Sequence, residues 1–108
     1  MRQYIQVIAV VGNKAEAEKI LQIVVEKRLA GCAQIIGPIT SIYWWKARIE
    51  RTKEWLCLIK SRADLYQELE SAIRQVHSYE NPEILAMPVI NGSERYLDWL
   101  ESELKKRK

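Results

Sequence analysis

The stretch CAQIIGPITSIYWW, residues 32–45, followed after Lys46 and Ala47 by RIERTKEWLCLIK, residues 48–60, decides how this chain is read. The first segment carries no charged residue and is rich in β-branched and aromatic side chains, the composition of a strand. A short connection separates it from a second strand-like run, so the two read as one β-hairpin. Fourteen residues at about 3.3 Å each span about 46 Å. A compact chain of 108 residues has a radius of gyration near 13 Å, hence a diameter of roughly 34 Å. The hairpin is therefore expected to project beyond its own core, carrying Ile42, Tyr43, Trp44 and Trp45 at its tip. Apolar side chains gathered there require a partner, most economically further copies of the same chain.

Working outward, Tyr4 to Val11 (YIQVIAVV) reads as a buried strand ended by Gly12. Asn13 with Glu16 three residues later makes a capping-box pattern. Ala17, Ile20, Leu21, Val24, Val25 and Leu29 then recur at helical spacing, and Gly31 marks the exit. Beyond the hairpin, Ser61 is expected to cap a second helix with Leu65, Leu69, Ala72, Ile73 and Val76 on one face. The loop HSYENP, residues 77–82, ends that helix. Glu83 to Val89 is a last short strand, Asn91 and Gly92 turn the chain, and Ser93 caps a closing helix with Leu97, Leu100 and Leu104 inside.

The resulting order, βαββαβ plus a C-terminal helix, is the α+β ferredoxin-like arrangement, with the first and third strands central. Pro38 and Pro88 fit edge strands, where a missing N–H is tolerated. The run Trp55, Leu56, Cys57, Leu58, Ile59 suits a central strand buried on both faces. Gly37 and Pro38 predict a bulge in the long strand. If Trp45 faces Arg48, Cys57 lies opposite Ile36, about 13 Å along the ladder from Cys32 and beyond disulfide reach.

Apolar residues make up 48% and charged residues 29% of the chain, ordinary for a globular protein, and residues 1–108 read as a single domain. No run approaches the roughly 18 apolar residues of a membrane span. Met1, Arg2 and Gln3 lead straight into strand-like alternation without a signal-peptide core, so a cytoplasmic protein is expected. The net charge of +3 comes mostly from the basic run Lys105, Lys106, Arg107 and Lys108, without which the chain is close to neutral. This run reads as a solvated helix end complementing the macrodipole. It has no basic and aromatic stripe elsewhere to suggest nucleic acid.

Several blocks in order resemble one known family. Cys32-Ala33-Gln34-Ile35 and Gly37 to Trp45 are similar to the signature of the CutA divalent-ion tolerance family. Glu54-Trp55, Lys60-Ser61, His77-Ser78-Tyr79-Glu80 with Pro82-Glu83-Ile84, and Tyr96 to Trp99 fall where its other blocks fall. The resemblance implies a ferredoxin-like subunit and a homotrimer built through the strands. It also implies a cytoplasmic role linked to copper and other divalent cations, and a likeness to PII-type signalling trimers. Two positions depart from the family's usual pattern. Ala47 stands where glycine is common in the hairpin turn, which costs roughly 1 kcal/mol if φ is positive there. Ser78 stands where proline is common after the histidine.

The candidate metal ligands are His77, Glu83 and Cys32. Neutral imidazole, a carboxylate and a thiolate form a credible set for copper or zinc, although one chain offers too few nitrogen and sulfur donors to close a tetrahedral site. A metal reading therefore draws ligands from two subunits. His77 also reads as a helix-end cap, Cys32 as a small buried hydrophobe and Cys57 as core. No catalytic constellation accompanies the thiols, so no enzyme is expected. Three functions stay open. They are a homotrimeric metal-tolerance protein, a PII-like sensor of a small anionic effector bound between subunits, and a scaffold trimer.

Overall fold

In the computed structural model, which describes residues 3–107, β1 (Tyr4–Val11) runs down the middle of a four-stranded sheet. After it come α1 (Lys14–Glu26), β2 (Cys32–Trp45), β3 (Arg48–Arg62), a 3-10 turn (Ala63–Leu65), α2 (Tyr66–Val76), β4 (Ile84–Pro88) and α3 (Glu94–Glu103). Met1 and Arg2 at the approach to β1, and Lys108 in the basic tail, lie outside the described residues. The strands order as β2-β3-β1-β4, and every neighbouring pair is antiparallel. The ferredoxin-like α+β expectation is met, with Pro38 and Pro88 on the two edge strands.

Strand alternation places Val7, Ala9 and Val11 of β1 and Cys57 and Ile59 of β3 on one buried face. Ile20 and Val24 of α1 and Leu69 and Ile73 of α2 join them in a single core. Both helices lie on that side, so the other face stays partly open. Leu56 and Leu58, which alternate to that other face, are only half-buried, a correction to the expectation that β3 is buried on both faces. An antiparallel sheet with helices on one side has no need of a second cover.

The β2–β3 register shows why the hairpin is long. Cys32 faces Lys60 and Ile36 faces Leu56, but beyond a shift Ile39 faces Glu54 and Trp45 faces Arg48. Gly37 and Pro38 thus stand against Trp55 alone, the bulge predicted from sequence. A Cβ at Gly37 would come within 2.4 Å of Trp55 Cδ1, so the bulge admits only glycine there. The extra residue also moves Cys57 opposite Ile35, one position from where an unbulged ladder puts it. β1 meets β3 only from Trp55 to Arg62. Residues 39–45 and 48–54 therefore form a two-stranded arm with no third strand. The arm stretches the molecule to 44 × 26 × 21 Å with a radius of gyration of 14.5 Å, above the roughly 13 Å of a rounded chain this long.

The ends of the helices follow local chemistry. Asn13 Oδ1 accepts the Glu16 N–H at 2.8 Å, the expected N-cap. Glu16 does not complete the box, because its carboxylate turns instead toward the loop after α2. α1 ends in a Schellman motif with Arg28 at φ 59°: Arg28 N–H bonds Val25 O and Leu29 N–H bonds Val24 O, both at 3.0 Å. Ser61 is not a helix cap. It is fully buried near the end of β3 and donates to Leu29 O at 2.6 Å, and α2 starts later without a side-chain cap. Ser93 caps α3 as expected.

Arg62, 1% exposed, ties α3 and the chain's end to the sheet. Its guanidinium donates to Glu101 Oε2 at 2.9 Å, to both oxygens of Asp64 and to Lys105 O at 2.7 Å. Burying a cation is costly unless its donors are satisfied, and these partners satisfy it. Lys105 further pairs with Glu68, and Arg107 approaches Asp64 and Glu101, so much of the basic tail is neutralised. The hydrogen bond from Arg62 holds the Asp64 carboxyl below its ordinary range. Burial pushes Glu101 upward, but Tyr4, Arg62 and Arg107 outweigh that and hold it low.

Two outcomes are expected. Lys46 and Ala47 both have positive φ, 51° and 64°, so Ala47→Gly should stabilise the chain by up to about 1 kcal/mol and raise its chemical unfolding midpoint. A lowered midpoint would contradict the strain. Depressed carboxylates contribute stability above their unfolded pKa values, 3.8 for Asp64 and 4.5 for Glu101, and that contribution is lost as pH falls through them. Thermal melts should therefore weaken below about pH 4.5, and Arg62→Met should be less stable at neutral pH with a flatter acid slope.

Candidate functional site

The loop between α2 and β4 is held in place by the single histidine. His77 terminates α2, donating its N–H to Ile73 O at 3.0 Å. Its side chain is 0% exposed. Nε2 lies 2.7 Å from Val10 O, and Nδ1 accepts the Tyr79 N–H at 3.1 Å. These partners fix the neutral tautomer with the proton on Nε2. Glu16 Oε1 accepts the Ser78 N–H at 3.1 Å, a donor that a proline at this position would lack. Glu16 Oε2 is buried without a hydrogen bond, 4.0 Å from His77 Nδ1.

So anchored, the loop aims Tyr79 across the end of β1. Its ring passes Gly12, where a Cβ would come within 2.8 Å of the phenol oxygen. The hydroxyl donates to Glu54 Oε2 at 2.7 Å. Glu54 is 4% exposed, and the phenol is its one hydrogen-bond partner among the described residues. Burial and this carboxylate push the Tyr79 phenol far above its ordinary value. Between the loop and the arm lies a groove of about 810 Å³, lined by Tyr43, Trp44, Trp45, Glu54, Tyr79 and Glu83 among others.

The three sequence candidates do not meet within one chain. Glu83 is exposed and borders the groove. His77 anchors the loop from beneath, with both ring nitrogens engaged. Cys32 faces Lys60, and Lys60 faces Gln6 of β1. That is four residues and two strand spacings from Val10, about 16 Å. There its Sγ lies 3.0 Å from the Tyr96 hydroxyl; burial and that contact push the Tyr96 phenol up to about 12. Among the described residues, no three His, Cys, Asp or Glu side chains converge as a metal-holding group. Cys57 is fully buried, and burial followed by Glu16 raises its thiol to about 11, the inert state expected of a core cysteine.

Sequence reasoning missed Glu54 and Tyr79 as a pair. The available signal was Glu54 heading the apolar run 55–59, where the strand reaches the core and a carboxylate needs a partner.

No helix among the described residues is long and apolar enough to cross a membrane. The model of the CutA1 divalent ion tolerance protein family matches residues 5–103. "Protein CutA" of Mus musculus is 46% identical over 88 residues, which are 82% of this chain and 50% of that protein. This chain thus spans about half the length of that relative. "Divalent-cation tolerance protein CutA" of Thermus thermophilus is 36% identical over 94 residues, 87% of this chain and 91% of that protein. The crystal structure of CutA1 from Oryza sativa superposes with a TM-score of 0.94 at 30% identity, covering 97% of this chain and 96% of the other. A match across nearly every element, from the first strand to the last helix, means that this chain belongs to the CutA1 divalent ion tolerance protein family.

Proposed function

We propose that this chain acts in the cytoplasm as a non-enzymatic protein of divalent-cation tolerance, assembled as a homotrimer through its arm. Family membership supports the tolerance role, and the arm is the observation that carries the assembly. Trp44 is 71% exposed, Ile49 63% and Ile42 57%. Each such side chain contributes about 1.5–3 kcal/mol when buried, so three of them favour association by on the order of 6 kcal/mol per subunit before its costs.

Copper is the divalent cation of this reading, with His77, Glu83 and Cys32 as its candidate ligands. Because one chain keeps Cys32 far from the other two, a site uniting them needs donors from more than one copy. Ligation at His77 also has to displace the Tyr79 N–H from Nδ1, the nitrogen carrying the lone pair. An anionic effector finds less support. The charged residues lining the groove are Glu54, Glu80 and Glu83, with no Lys or Arg among its described residues, and like charge disfavours an anion.

Light scattering at micromolar concentration should give three times the subunit mass. Trp44→Asp should lower it toward one subunit by weakening assembly by about 2–4 kcal/mol, with circular dichroism unchanged. A wild-type monomer would sink the trimer. Calorimetry with Cu²⁺ should show binding that His77→Ala and Glu83→Ala each reduce. Identical isotherms for wild type and both variants would remove these ligands, and no heat at all would favour a scaffold role.

A further inference from the structure

We propose that the groove between the arm and the loop after α2 binds a small organic cation, an alkylammonium or alkylguanidinium, with Glu54 as its counter-charge. A carboxylate 4% exposed needs compensation, and the groove supplies only the neutral Tyr79 hydroxyl on Oε2. Its second oxygen, Oε1, has no hydrogen bond among the described residues and, unlike Glu16 Oε2, is not sealed from solvent. Glu80 and Glu83 at the rim add negative potential, and no Lys or Arg lines the space.

The walls decide which cation fits. A bare divalent ion takes six or more oxygen ligands or a closed set of three or four donors, and no three acidic, cysteine or histidine side chains converge here among the described residues. Tyr43 and Trp45 instead offer aromatic faces, which attract ammonium and guanidinium groups and pack their hydrocarbon bodies. Trp45 already holds a cation in this way, the Lys46 Nζ lying 5.6 Å from its ring centroid at the turn. A volume of about 810 Å³ is within the range of small-ligand sites, roughly 300–1,000 Å³. The Tyr79 hydroxyl is a positioning group. Donating to Oε2, it holds the carboxylate in place.

The test titrates the full chain in its native assembly with n-butylguanidinium and n-butylammonium, following tryptophan fluorescence and heat. n-Butylurea serves as the neutral isostere and Mg²⁺ as the bare divalent ion. Saturable binding of both organic cations is expected, with butylurea weaker by about tenfold or more. Glu54→Gln should weaken the cations by about tenfold or more and leave butylurea unchanged. Trp45→Leu, on the exposed arm, should weaken them about threefold and keeps the test open should Glu54→Gln not fold. Equal binding of butylurea, or tight Mg²⁺ binding lost in Glu54→Gln without any response to the organic cations, would overturn the proposal. So would dissociation of the assembly in Glu54→Gln with no probe bound by wild type, which would assign the cation to a neighbouring subunit's side chain. None of these readouts depends on copper binding.

Discussion

β1 stops at Val11, opposite Trp55, and that early stop governs the rest of the molecule. Beyond it the β2–β3 ladder continues without a third strand, so the arm leaves the core behind and its apolar side chains have nothing within the chain to cover them. The end of β1 is also where the chain turns through Gly12, and where Val10 O receives the buried histidine. The loop after α2, the groove and the buried Glu54 are thus all consequences of one strand being shorter than its neighbours. A β1 longer by a turn of the pleat would fill the groove with backbone and leave Tyr79 no path to Glu54.

Polar groups inside this protein work as clasps between elements distant in sequence. Ser61 fastens β3 to the end of α1, Arg62 fastens β3 to α3, and His77 fastens the end of α2 to β1. Each is satisfied by backbone groups or carboxylates, which suits the low dielectric of the interior, where an unpaired group is costly. Glu16 departs from this, with one carboxylate oxygen spent on the Ser78 N–H and the other buried without a hydrogen bond.

Much of the fold was legible in the sequence because its signals are short-range. The alternation of β1, the spacing of apolar residues in three helices, the caps at Asn13 and Ser93 and the bulge at Gly37 and Pro38 each depend on a few neighbouring residues. The overhang was legible too, since it needs only a length compared with a diameter. What failed depended on tertiary partners. Ser61 has the composition of a cap, yet pairing with β1 draws it into the sheet. Arg28, not a glycine, takes the left-handed position at the end of α1. The faces of β3 differ because both helices choose one side. The Glu54–Tyr79 pair spans 25 residues, and no local pattern announces it. His77 was visible as the sole histidine, but its engagement by Val10 and Tyr79 was not.

The arm also divides the molecule into two parts with different claims on stability. Its backbone hydrogen bonds run between two strands only, and no core packs beneath them, so in a lone subunit it would open and close many times before the sheet at its base yielded. Amide hydrogens there would exchange with solvent long before those of β1. Changes at the tip can accordingly accumulate with little penalty to folding of the subunit. The same thinness leaves the arm's order dependent on whatever it touches, so that partner choice and local rigidity are settled together.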